Sequence, residues 1–403
     1  MKTLVWITHT FRKDSRLYNS LEGECTFVYY SPFYFAGDRE KAILKNTNWQ
    51  NLELFYGSIN HFRKALTKDG GDLAIYKESD PIAHINMLIE AFGYTKLVID
   101  EPQFAMWHSL NTFKLSIEPT YIDSDLIQTD CNYRTAKHRW MHHASREYNY
   151  YLPNNKLTFF NIGMYNGEDK YPKGNIPNIQ KVLDRAYDIA LNYANTRDKH
   201  NGQTELSVLM QNGLIDPHNV FYAMVDIFKK QGADLTKNEG AHAAMLRQFT
   251  FREMTIIKSR QLGLTMENVP LKWLSSTITE KSKVNLIQQV NNESTLTWDN
   301  ICNANTPDAN INQILTESFA KGVMPNRARM YYAGWLFYNA KTGLDAVNML
   351  INTFDLLLTD GQCPNNYISC CSSMNMSYGK VMLLNKDRVM HLLDYENEKL
   401  TIC

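Results

Sequence analysis

The hydrophobic pattern of this 403-residue chain follows one rule over its first hundred residues and another beyond residue 178, and that change calls for two parts built on different rules. Before it, short β-rich runs alternate with helical ones. TLVWIT and TFVYY are followed by the helical GSINHFRKALTK, a Gly70-Gly71 break and the strand DLAIYK. Asp80 can cap a helix with Pro81 at its first position, Gly93 stops that helix, and the strand KLVID follows. Strands alternating with helices imply a parallel sheet covered on both faces. After the change, apolar residues recur at helical spacing, and Ile179, Val182, Leu183, Ala186, Ile189, Ala190 and Tyr193 make one stripe. Further helices are expected from Asp216-Pro217 to near Gly232, and over 246–258, 310–319, 325–339 and 344–359.

The expected fold is an α/β N-terminal domain of Rossmann-like type with a parallel sheet (1–120), followed by an all-α domain (179–403). Residues 121–178 are polar, aromatic and rich in turn signals such as YLPNN and YPKGNIPN, and read as a connection carrying one helix, Ala136 to Tyr148. The length suits two cores. No G-x-G-x-x-G follows the first strand, so the dinucleotide fingerprint is absent and the first domain reads as a scaffold or the seat of a secondary chromophore.

Charge narrows the function classes. Lys+Arg and Asp+Glu are 42 each, so any nucleic-acid contact has to come from a local patch. The N-terminal MKTLVWITHTF is too short an apolar run for a signal peptide and nothing later approaches a membrane span, which points to a cytoplasmic protein. The seven cysteines include no C-x-x-C pair and read as free thiols, with no metal site expected. His138 and His142, four apart in KHRWMHHASR, are compatible with metal ligation, against the plainer reading of a solvated basic helix.

The stretch from Lys321 to Asn366 carries the chemistry. KGVMPNRARMYYAGWLFYN starts a helix at Pro325, and about thirty residues later LLLTDGQCPNN ends another. A chain that returns Arg329 to Asp360 and turns Asn326 and Asn366 inward builds a polar pocket in a helical core. Buried polar groups are costly unless satisfied, so a ligand is expected to complete them.

This stretch resembles the flavin-binding core of the photolyase and cryptochrome family, and two further segments before it match that family in order. YANTRDKHNGQTELSVLMQNGLIDPHNV resembles its Tyr-x3-Arg stretch and phosphate loop, with Gln203 and Glu205 where the family has Thr and Arg. By position, Tyr193, Thr204, Leu206 and Ser207 would hold FAD, and Arg197 would touch a DNA phosphate; the residue-level alternative is that Thr204 or Ser207 is a helix cap. MLRQFTFREMTI resembles the R-Q-L-x-W-R-E-F helix, which implies that Gln248 and Arg252 reach the cofactor or lesion and that Phe251 replaces a lesion-stacking Trp. Asn326, Arg329 and Met330 match the M-H-N-R-x-R-M string of pyrimidine-dimer photolyases, with Pro325 in place of His. The resemblance implies that Asp360 pairs with Arg329 and bonds the flavin, and that Asn366, with Asn365 as the alternative, faces its N5 atom.

YNGEDKYPKGNIP and YISCCSSMNMSY are similar to the linker and tail of the bacterial iron–sulfur branch, but the cysteines that its cluster needs are missing. The family's Trp chain would fall near Cys370 and Leu344, where there is no Trp; Trp335, Tyr331, Tyr332 and Tyr367 are the aromatic alternatives. The implied function is light-driven repair of cyclobutane pyrimidine dimers in UV-damaged DNA by a monomer that acts at the nucleoid. Reduced FAD would be its cofactor and an antenna chromophore a second ligand. Asn326, Met330, Gln248, Phe251 and Asn366 are the implied catalytic set, and Arg197, Phe251 and Met330 the DNA contacts. Lys258, Arg260, Lys321 and Arg327 are candidates for a basic surface. The alternatives are a cryptochrome-type blue-light photoreceptor or repair of the (6-4) photoproduct; the family's (6-4) enzymes carry a catalytic His near position 325, and this chain has none there.

Overall fold

The computed structural model describes residues 1–32, 45–102, 114–129, 135–153, 156–162, 174–197, 202–261, 263, 290–361 and 363. The first part alternates as its period demands: β1 (Lys2–Ile7), a short α1 (Arg16–Asn19), β2 (Glu24–Tyr30), α2 (Trp49–Thr67), β3 (Leu73–Tyr76), α3 (Pro81–Phe92) and β4 (Lys96–Asp100). Asp80 caps α3 by accepting from the Ala83 N–H, and Gly93 ends it in the left-handed region at φ 67°.

The strands are parallel, in the order β3-β2-β1-β4-β5, where β5 is Thr120–Ile122. A sixth strand, β6 (Thr158–Phe159), pairs with the start of β2. The 121–178 segment is therefore more than a connection, since it contains β6 and the end of β5. These runs are two and three residues long, too short to show a period of their own. Its helix, α4, is Ala136–Ser145, three residues shorter than expected.

Alternation along the strands sorts the two faces of the sheet. Val5, Ile7, Phe27, Tyr29, Leu73, Ile75 and Val98 pack with Ile59, Phe62 and Leu66 of α2. Leu4, Trp6, Val28, Tyr30, Leu97 and Ile99 pack with Ile82, Ile85 and Leu88 of α3. Each such side chain stabilises the fold by about 1.5–3 kcal/mol through burial, before conformational entropy is counted.

The helical part divides into two packed groups. One contains α4, α5 (Ile179–Ala190), α7 (Leu206–Gln211), α8 (Pro217–Lys230) and α9 (Gly240–Gln261) around Trp140, Leu209, Phe221, Tyr222 and Leu246, with the short α6 (Tyr193–Thr196) beside it. The other contains α10 (Trp298–Cys302), α11 (Ala309–Lys321), α12 (Asn326–Asn339) and α13 (Gly343–Leu357) around Leu315, Tyr332, Leu336 and Phe354. Pro325 stands at the cap position rather than inside the first turn of α12. Trp335, Tyr331 and Tyr332 are all buried.

Candidate functional site: a polar cleft between the two helical groups

The cleft lies where the two helical groups face each other, and its walls come from four separated stretches. Tyr193, Thr204, Leu206 and Ser207 line it from one side, with Gln248 and Arg252 beside them on α9. Asn326, Arg329 and Asp360 line it from the other. On α9, Gln248 and Arg252 lie one turn apart, with Met245 and Phe249 on the same wall.

The strongest interactions in the cleft converge on Asp360. Arg329 Nη2 donates to both of its oxygens, at 2.8 and 2.7 Å, while Arg329 Nε donates to the Met324 carbonyl at 2.6 Å. The Ser207 hydroxyl donates to Asp360 Oδ2 at 2.9 Å. Arg329 and Asp360 are 6% and 4% exposed, so their charges are taken out of water and offset chiefly by each other.

Backbone geometry explains how the carboxylate gets there. α11 ends at Gly322, whose φ is 70° and where an added Cβ would meet the Thr359 side chain at 2.6 Å. The Gly322 carbonyl accepts from the Thr359 N–H (2.6 Å) and hydroxyl (2.8 Å), and Asn212 Nδ2 donates to the Thr359 carbonyl at 3.2 Å. At Gly361 a Cβ would fall 1.8 Å from the Phe354 carbonyl, so only glycine allows the chain to turn back there.

Neither Thr204 nor Ser207 is a helix cap. The cap residue of α7 is Glu205, at φ 59° and with no side-chain cap bond, and the Ser207 hydroxyl is turned to Asp360 instead. Arg252 borders the cleft, but its guanidinium bonds the Asp125 carboxylate (3.1 Å) and carbonyl (3.1 Å). Arg197, Phe251 and Met330 are half-buried and outside the lining; Phe251 lies three residues past Gln248, and Met330 one turn past Asn326. Asn366 and Asn365 lie outside the described residues, as does Tyr367. His138 is exposed and its Nδ1 bonds its own helix cap, the Thr135 hydroxyl, at 2.8 Å. Arg260 bonds Asp123 and the Pro102 carbonyl, so its guanidinium is held at the domain boundary.

Gln203, Glu205, Met210 and Met324 also line the cleft. Gln203 and Glu205 are the two departures of the phosphate loop from the family pattern, so the pattern marked their place without predicting their type. The lining has no His, Cys or Lys among the described residues. It offers amides, hydroxyls and a neutralised carboxylate set among Met, Leu and Phe, a set suited to a flat heterocycle with polar edges.

A second, open crevice of about 490 Å³ lies at the carboxyl ends of β4 and β5, lined by Glu101, Tyr121, Asp123 and the last turn of α9. It is next to the point where the strand order reverses, a place that favours ligands in sheets of this type. Burial pushes Glu101 up, with Asp123 adding to the shift and Arg260 opposing it.

This chain has the photolyase/cryptochrome fold. The archaeal photolyase from Sulfolobus tokodaii, whose crystal structure contains two FAD molecules, matches 99% of the chain over 90% of its own length, with a TM-score of 0.67 and 13% identity. The cryptochrome of Synechocystis sp. PCC6803 matches 99% of the chain over 89% of its own, with a TM-score of 0.68 and 14% identity. No family profile matches the sequence, and no curated protein matches it. No helix of the described residues is long and apolar enough to cross a membrane.

Proposed function

We propose that the cleft binds FAD and that the protein is a light-driven repair enzyme for cyclobutane pyrimidine dimers in DNA. The observation that carries this reading is the meeting of Ser207, Arg329 and Asp360, from three distant stretches, in one cleft of a photolyase/cryptochrome fold. The donor set fits a flavin. A carboxylate already neutralised by Arg329 can still accept an N–H from a ring edge, and Gln248 and Asn326 add amides that donate and accept. The cleft has a volume of about 130 Å³ between the described residues.

Bound and reduced, FAD would supply on excitation the electron that opens the cyclobutane ring and would take it back once the ring has split. The residues of the chain do the rest. Arg329 holds the Asp360 carboxylate aimed into the cleft. Met210, Met245 and Leu206 keep water from the ring system, and Ser207 fixes the second carboxylate oxygen. Met330 and Phe251, one step beyond the lining, contact the lesion, and Arg197 contacts a phosphate. The second crevice is the candidate seat of an antenna chromophore.

The test is an oligonucleotide with one cyclobutane dimer, incubated with the reduced, flavin-loaded protein in blue light and in darkness. Light-only return of intact thymines is expected. A flavin spectrum without any repair would exclude dimer repair and favour the second reading, a blue-light photoreceptor, which the equal likeness to the Synechocystis cryptochrome supports.

A further inference from the structure

We propose that Asn48 and Asn51, at the start of α2 in the α/β domain, are positioning residues for the cleft carboxylate Asp360; this rests on reading the cleft as a flavin site. The last four carbonyls of a helix have no partner within it and must find one elsewhere. At the end of α13 the partners come from the other domain. The Asn48 N–H donates to the Leu356 carbonyl at 2.9 Å, Asn48 Nδ2 to Leu357 at 3.1 Å, and Asn51 Nδ2 to Leu358 at 2.8 Å. Three successive carbonyls are thus met by three donors from one helical turn.

The same turn serves α2. Asn48 Oδ1 accepts from the Asn51 N–H at 2.9 Å, so one amide group begins α2 with its oxygen and ends α13 with its nitrogen. The two helices meet start to end, which sets the partial positive charge of one terminus against the partial negative charge of the other. Asp360 is two residues past Leu358, and Thr359 between them is pinned to Gly322 and Asn212. Where α13 stops therefore decides where the Asp360 carboxylate meets Arg329 and Ser207. Neither asparagine lines the cleft; both act through the backbone that carries Asp360.

The double variant Asn48→Ser/Asn51→Ala keeps a capping oxygen at position 48 and removes both amide donors. FAD is titrated into the full-length wild type and the variant, and the visible absorption of the bound flavin is recorded. The expected result is binding about tenfold weaker, the low end of what a site loses with its outer hydrogen-bond partners, together with a shifted flavin band. The single variant Asn51→Gln, which keeps an amide, should lie closer to the wild type. Unchanged affinity, or weaker binding with an unchanged flavin spectrum, overturns the proposal. Hydrogen exchange of the full-length protein without FAD provides a second readout. Faster exchange confined to the Thr359 and Gly361 amides supports the proposal, and acceleration spread evenly over the chain overturns it. A wild type that takes up no FAD overturns the reading of the cleft instead, whereas a wild type and variant that bind it alike leave that reading standing.

Discussion

Two buried arginine–carboxylate pairs border each other on α9 and the cleft, and they differ in everything but burial. Arg252 and Asp125 are 5% and 3% exposed, close to the 6% and 4% of Arg329 and Asp360. Around Asp125 the protein supplies its own partners. Arg252 takes one oxygen, and His9 Nδ1 stands 3.3 Å from the other. His9 Nε2 donates to the Gln211 carbonyl at 2.7 Å, which ties the end of β1 to the end of α7. Nearby, Asp100 accepts the backbone N–H groups of Thr8, His9 and Thr10, at 3.2, 2.7 and 2.7 Å. Burial alone would raise the Asp125 pKa, but His9, Arg252 and Arg260 outweigh it and hold the carboxyl below its ordinary range.

The Asp360 pair faces amides, thioethers and a cavity instead. A buried ion pair is weak evidence of function by itself, because structural networks produce the same burial and the same shifted pKa values. What separates these two is whether the neighbouring space is filled by protein. The first pair joins the α/β and helical parts, and the second forms one wall of the cleft.

That distinction can be broken by paired substitutions. Asp360→Asn should have the largest effect, lowering stability by about 3 kcal/mol as Arg329 loses its countercharge. FAD affinity should fall about a hundredfold with it, the size of one lost charge-assisted hydrogen bond; equilibrium denaturation and flavin titration measure the two. Asp125→Asn should cost a similar amount of stability, about 3 kcal/mol, yet leave the spectrum of bound flavin as in the wild type. A changed spectrum there would mean that the two pairs form one unit.

A pH series sharpens the comparison further. Burial lowers the His9 pKa, but Asp125 and Asp100 outweigh it and the net shift is upward from 6.5. A raised value means that protonated His9 contributes fully below about pH 6.5 and that the contribution is lost as pH rises through the folded value. The stability gap between wild type and His9→Gln should therefore narrow in denaturation curves taken from pH 6 to pH 9. A gap that widens would refute the charged His9–Asp125 contact. Ser207→Ala should have the smallest effect, about 1 kcal/mol for one hydrogen bond, read as a modest rise in the FAD dissociation constant with little change in melting temperature.

The local signals of the first domain were legible because they act over a few residues. Asp80, Pro81 and Gly93 set both ends of α3, and the alternation of strands with helices implied a parallel sheet covered on both faces. The long helices were legible for the same reason, although α9 runs from Gly240 to Gln261, well past the expected 246–258. Its buried residues occupy nearly all sides, so the apolar stripe that would mark its ends is missing.

In the cleft, nine of the residues expected to bind cofactor lie together, and that grouping was read from motif order rather than from any period. The sequence alone thus determined the order of an α/β part followed by a helical part and both ends of α3, since each is written in neighbouring residues, whereas the grouping of the cleft segments was implied by the family resemblance. Tertiary structure alone decided that Ser207 reaches Asp360 instead of capping its helix, that Arg252 turns to Asp125, and that Asn48 and Asn51 close a helix some 300 residues away. A hydrogen bond is satisfied by whatever acceptor folding brings within about 3 Å, and no local pattern records which one that will be.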